Sequence, residues 1–229
     1  MKYLSLLMLL ATATSLADDR PVPVYAEPRH RLVFDDQVMR VLNLLLPPGE
    51  TTRFHTHDQP IVYITLSDAR VRARSPGGDW VTDERPLEPR GSVLTNINYL
   101  ERPETHQVSN VGETDLHLVL VLNERSGAAA PGLDVYRHLP GAPGIDNRYF
   151  AQSRIGLAPG ESLDWAGVRS QLVLVLVSDT HVVIRTHTDH PVLHGMTDAG
   201  NFVTLNGDGG LSFDNRSDKA ATIIAVAVL

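Results

Sequence analysis

The chain has 229 residues, no cysteine and a formal net charge of −7, a length that suits one large domain or two small ones with a real core. An acidic balance without a basic cluster argues against nucleic acid and anionic membranes as partners. Without cysteine there are no disulfides and no thiolate metal sites, so any metal must take nitrogen and oxygen ligands, and ten histidines are on hand.

Residues 1–17 read as a secretory signal. Lys2 precedes the apolar run 6–10, and Ser15 and Ala17 put small side chains where a signal peptidase reads. Cleavage after Ala17 would leave Asp18 first and remove Lys2, giving a mature charge of −8 from 19 basic and 27 acidic residues. The expected location is periplasmic or secreted, with no membrane partner after cleavage. Residues 18–29 hold Pro21, Pro23 and Pro28, which oppose a helix and favour an extended arm.

Strand candidates follow at 31–35, 38–46, 61–66, 69–75, 92–97, 105–111 and 116–123, rich in β-branched residues and divided by Pro-Gly, Gly-Gly and Asn-Val-Gly turns. No long stretch carries a 3.6-residue apolar period, so the expected class is all-β. The Gly, Pro and Ala of residues 125–147 read as a linker. The chain then starts again. Leu46-Pro47-Pro48-Gly49-Glu50 recurs as Leu157-Ala158-Pro159-Gly160-Glu161, and Ser67-Asp68 as Ser178-Asp179, both at an offset of 111. Asn110 with its polar turn and apolar strand recurs at Asn215, at an offset of 105. Three matches in the same order predict an internal duplication: two tandem antiparallel β-barrels, over 30–124 and 148–229.

The chemistry concentrates in the first unit. His55 and His57 stand at i and i+2, which in a strand leave from one face. His106 shares strand spacing with Val108 and Asn110. Two imidazoles from one strand and a third from a distant one can cap an ion on one side and leave other positions open. The residues alone equally allow a solvated strand face or structural hydrogen-bonders.

Together these stretches resemble the two sequence motifs of the cupin family. Gly49, His55 and His57 match the first motif in spacing, and Pro103, His106 and Asn110 match the second. The resemblance implies a double-domain protein of jelly-roll barrels with a metal at His55, His57 and His106. One departure stands out: the family's glutamate ligand should fall at Ile61 or Val62, both apolar. Some cupin-like oxygenases, acting on thiols or diketones, use such an all-histidine set. Asp58 and Glu104 are nearby acids to which no ligand role is given, and Arg53 and Gln59 are given none either. Tyr63 lies on the missing glutamate's face and is the candidate catalytic phenol, against a plain barrel-lining aromatic. His117 lies on the next strand. In the second unit the repeat places Ala166, Val168 and Leu211 where the ligands would be, so that barrel is expected to be degenerate and metal-free. His181, His187, His190 and His194 read as solvated loop histidines.

The resemblance implies a divalent ion, iron first, with manganese, nickel, zinc and copper as alternatives. The expected function is a three-histidine dioxygenase for a small organic substrate. The alternatives are a non-catalytic protein that binds a sugar or organic acid, or a site that only stabilises the barrel. The expected partners are a small molecule and a second copy of the chain in a homodimer.

Overall fold

The structure, a computed structural model, describes residues 20–82, 89–125, 138–167, 171–206 and 209–229. The expected signal segment, residue 168 and residues 126–137 of the expected linker lie outside them. The first unit runs β1 (Val22–Pro23), β2 (His30–Asp35), β3 (Met39–Leu46), β4 (His55–His57), β5 (Ile61–Thr65), β6 (Val71–Arg74), β7 (Val81–Thr82), β8 (Val93–Asn96), β9 (Glu104–Asn110) and β10 (Leu116–Asn123). The second runs β11 (Ala142–Asp146), β12 (Phe150–Leu157), β13 (Ser162–Trp165), β14 (Leu172–Leu176), β15 (Val182–Thr186), β16 (Leu193–Met196), β17 (Phe202–Leu205), β18 (Leu211–Asn215) and β19 (Ala221–Val228). Among the described residues two single 3-10 turns interrupt them, Val24–Ala26 and Asn98–Leu100.

The sheets repeat one plan. The order β2-β3-β10-β5-β8 in the first unit recurs strand for strand as β11-β12-β19-β14-β17, and β4-β9-β6-β7 recurs as β13-β18-β15-β16. All pairings are antiparallel except β1, which lies parallel on β4 as an extra edge strand. Two details correct the sequence reading. Residues 142–146, inside the expected linker, form β11 and pair with β12. His194 is not in a loop but on β16, opposite Ile184.

Side-chain alternation explains why the central strands are apolar throughout. On β3, β5 and β10, Leu42, Leu44, Ile61, Leu120 and Leu122 enter the first barrel. Their neighbours Val41, Val62, Ile64, Val119 and Val121 leave by the other face. There they meet Phe150, Val173, Val175, Ile224 and Val226 of the second barrel in one continuous core. On β14, Leu172, Leu174 and Leu176 enter the second barrel while Val173 and Val175 form the seam.

The duplicated turns do the same work twice. Gly49 and Gly160 both take positive φ, at 79° and 70°. The amide of Asn110 donates to the carbonyls of Leu46 and Thr114, and its oxygen accepts from the Gly112 N–H. Asn215 likewise donates to Leu157 and Lys219 and accepts from Ser217. Ser67 accepts from the His117 N–H, as Ser178 does from Thr222.

Candidate metal centre

His55 and His57 face inward because β4 alternates, and β9 pairs with it so that His106 lies directly opposite His55. Both β4 histidines are almost fully buried, at 0% and 2% exposure. The ring centroids are 5.1 Å apart for His55 and His57, 4.7 Å for His55 and His106, and 4.9 Å for His57 and His106. With metal–nitrogen bonds of about 2.0–2.1 Å, imidazoles roughly at right angles around one ion have centroids roughly 4.6–5 Å apart. One nitrogen from each ring lies within 4.8 Å of the others, a group that could hold a metal ion.

The tautomers fit the same purpose. His55 Nδ1 lies 2.9 Å from the Arg53 carbonyl, which can only accept, so that nitrogen carries the proton in the neutral ring. Its Nε2 is then a lone pair, fully buried and without a hydrogen-bond partner. An unsatisfied buried acceptor is costly unless something binds it, which is the observation that fits a metal here. The Nδ1 of His106 faces Glu104 Oε1 at 3.2 Å, and that of His57 faces the Tyr63 hydroxyl at 3.4 Å. Back-side partners of this kind fix ring orientation in metal-binding histidines. Burial, followed by the neighbouring imidazoles, lowers the pKa of His55 to about 3 and that of His57 to about 2. His106 is lowered too, chiefly by burial. The lowered values favour the neutral ring in all three, with one nitrogen protonated and the other free, as ligands must be.

Ile61 and Val62 supply no oxygen: the first lies in the barrel core, the second in the inter-barrel seam. Asp58 and Glu104 stand outside the three-histidine group, Glu104 serving the back of His106 instead. Tyr63 lines the cavity, with its hydroxyl 3.4 Å from that of Tyr99. Burial holds the Tyr63 phenol well above its ordinary pKa. His117 is remote from the triple: its Nε2 faces Asn43 Oδ1 at 2.9 Å. Its ring abuts Gly200 of the second barrel, where a Cβ would fall 2.8 Å from Cε1. Among the described residues, His181, His187, His190 and His194 take no part in a metal-like group.

The sequence reading missed two residues of this site, His30 and Glu27, which are 3% and 2% exposed. The His30 ring lies 4.5 Å from that of His55 and lines the same cavity of about 260 Å³. Its Nδ1 is 2.7 Å from Glu27 Oε2. Burial alone would raise the Glu27 pKa, but hydrogen bonds from His30 and from backbone N–H groups outweigh it and the carboxyl is lowered. Apart from Tyr63, Thr65 and Tyr99 the rest of the cavity wall is apolar, including Leu44, Val71, Val108, Leu118 and Leu120.

No protein-family model matches the chain, and no curated protein matches it by sequence. Solved structures do match by shape. AerE from Microcystis aeruginosa is 12% identical over 86% of this chain and 90% of its own, with a TM-score of 0.59. Salicylate 1,2-dioxygenase from Pseudoaminobacter salicylatoxidans, in adducts with gentisate, is 11% identical over 83% and 68%, with a TM-score of 0.55. A formate complex of oxalate decarboxylase from Lactobacillus farciminis is 12% identical over 83% and 77%, with a TM-score of 0.54. The fold is thus the double-barrel cupin fold, and proteins that share it include a dioxygenase and a decarboxylase.

Proposed function

We propose that this chain is an exported, metal-dependent dioxygenase that holds one divalent ion, iron first, at His55, His57 and His106 and acts on a small organic substrate. The observation that carries the reading is the buried, unpartnered Nε2 of His55, set among two further imidazoles at the wall of a cavity. A bound ion would supply Lewis acidity and redox capacity toward substrate and dioxygen. The chain's own part is to hold three neutral nitrogens on one side and leave the other side open to the cavity. Arg53, Tyr63 and Glu104 orient the rings from behind. The Leu and Val wall excludes water and selects a substrate with an apolar body. Tyr63 is the candidate catalytic phenol: its high pKa keeps it a donor, able to hydrogen-bond a developing oxyanion.

A capture protein without turnover is the second reading, favoured by the Tyr63 hydroxyl being already shared between His57 and Tyr99. Elemental analysis of protein purified from the exported fraction, followed by oxygen-uptake assays on small organic acids, phenols and diketones, separates the two. Stoichiometric iron with uptake is expected; ligand binding without uptake for any metal would leave the capture reading. Intact mass should begin at Asp18, and a cytosolic chain starting at Met1 would remove the export claim.

A further inference from the structure

The two barrels differ at one sheet edge. In the second, β13 is the edge strand of its sheet among the described residues; in the first, the corresponding β4 is covered by β1 of the N-terminal arm. The topology therefore closes without an arm. The strand that has one is the strand that carries His55 and His57.

The arm grips that strand just before His55. Glu27 is 2% exposed, and no other acidic side chain among the described residues is buried. Its Oε1 accepts from the Arg53 N–H at 3.0 Å. Its Oε2 accepts from the Arg29 and His30 N–H groups at 2.8 and 3.0 Å, which fixes the carboxylate within the arm itself. The Val22 N–H donates to the Phe54 carbonyl at 3.1 Å. Between these two ties lies the peptide that joins Arg53 to Phe54, and its carbonyl is the one 2.9 Å from His55 Nδ1. The group that orients the His55 ring is thus held on both sides by the arm. Val24, buried in the first barrel's core, and an ion pair from Arg29 to Glu50 seat the arm in turn. Backbone N–H groups are obligatory donors, so these ties depend on no titration. Burying a carboxylate costs free energy, and what the Glu27 oxygen facing β4 secures is the Arg53 end of the ligand strand.

We propose that Glu27 is a positioning residue of the metal centre, and that the N-terminal arm is a brace that aims His55 through the Arg53–Phe54 peptide. This deepens the metal-centre reading above and rests on it. With the arm released, β4 becomes an ordinary edge strand, and binding an ion must then carry the cost of ordering it. Coupling of this kind is reciprocal: a brace that raises affinity for the ion is itself tightened by the ion, by the same factor.

The test uses the mature full-length chain, metal-free and loaded with cobalt(II), whose visible absorption reports occupancy during competition with a chelator. Glu27→Ala should bind cobalt about tenfold more weakly, the low end of the range for outer partners of metal ligands. Asn215→Ala, which breaks a turn of the second barrel, should stay within about twofold of wild type, so it separates lost positioning from lost stability. Hydrogen exchange on the wild-type chain reads the coupling from the other end. Cobalt should slow exchange of the Val22, Arg29 and Arg53 amides about tenfold and leave those of β13 unchanged. A merely structural Glu27 would lower stability when removed without moving affinity, and its amide partners would not respond to the ion. Wild-type affinity in Glu27→Ala, an equal loss in Asn215→Ala, or arm amides that exchange alike with and without cobalt would each overturn the proposal. If Glu27→Ala does not fold, the exchange measurement on the wild-type chain decides alone. Failure of the wild-type chain to take up cobalt is a separate result, which removes the underlying metal reading and the brace with it.

Discussion

The two barrels share a strand order and a turn chemistry but not an interior. In the first, β4, β9 and the start of β2 bring four imidazoles to one end of the barrel, beside an apolar cavity of about 260 Å³. In the second, the equivalent strands β13 and β18 pair Trp165 with Leu211 and Leu163 with Phe213, and these side chains pack into the core with Met196 and Leu205. Leu211 and Phe213 have no exposed surface. The second barrel therefore shows that this topology closes without buried imidazoles at these positions. The first accepts the desolvation of four histidines and a carboxylate, a cost that folding does not require. Local departures of this kind from the best core are expected where a site is built.

The sharpest way to break the comparison is to remove one imidazole at a time. His55→Ala or His106→Ala should lose most of the metal by elemental analysis, whereas His187→Ala and His190→Ala, in the second barrel, should keep it all. Full occupancy in His106→Ala would make the two barrels equivalent after all. Next in size is the apolar plug. Phe213→Ala should destabilise the chain by about 3–5 kcal/mol in urea unfolding, with metal content unchanged. A cost near zero would mean that the second interior is not packed as the first comparison requires.

The acid side of the stability curve divides the barrels as well. In the folded state burial pushes the pKa of His55 down to about 3 and that of His57 to about 2, from the 6.5 of an ordinary imidazole. The unfolded chain therefore binds more protons between these values, and stability of the metal-free protein should rise with pH across that window. It should be full above pH 6.5 and fall progressively as pH drops toward about 3. The lowered carboxyl of Glu27 acts in the same direction, its contribution being lost as pH falls through its folded pKa. Replacing His55 and His57 together by Leu should flatten the slope; an unchanged slope would place the titration elsewhere.

The strands and the histidine triple were legible because both depend on period two. Leu42, Leu44 and Leu46 alternate with Val41 and Leu45, and His55 with His57, in a way that a linear reading recovers. The Gly49 and Asn110 turns were legible because Gly and Asn have local reasons to be where they are. His30 was not, and the reason is a single bulge. The β2–β3 hairpin pairs Asp35 with Arg40 and Phe34 with Val41, but then Leu32 with Leu42 and His30 with Leu44. Without the extra residue His30 would pair with Leu45, which is 45% exposed and points outward. The bulge reverses the parity and turns the imidazole into the barrel. Nothing in the spacing from His30 to His55 announces it. β11 was missed for a related reason, since Ala142, Pro143 and Gly144 have turn composition yet form an edge strand on β12.

The turns on which the duplication rests give smaller and matched effects. Asn110→Ala strands two carbonyls and one N–H; Asn215→Ala strands the carbonyls of Leu157, Ala158 and Lys219 and the N–H and hydroxyl of Ser217. Each should cost about 1–3 kcal/mol, with metal retained in both. Loss of metal from Asn110→Ala alone would mean that its motif position serves the ion rather than the turn.

The smallest effect is at the two turn glycines, and it is the cleanest because space is not at issue. A Cβ built on Gly49 or Gly160 meets nothing within 4 Å. The only penalty for alanine is therefore the left-handed backbone, φ 79° at one and 70° at the other. That conformation disfavours an L side chain by about 1–2 kcal/mol, offset in part by the lower entropy of an unfolded alanine. Gly49→Ala and Gly160→Ala should each lower stability by about 1 kcal/mol, within a few tenths of each other. Differential scanning calorimetry on the two single variants and the double one decides it. The sites are far apart in sequence and share no partner, so the double should equal the sum. Markedly unequal costs would show that one turn is held by contacts the other lacks, and the correspondence between the barrels would then stop at strand order.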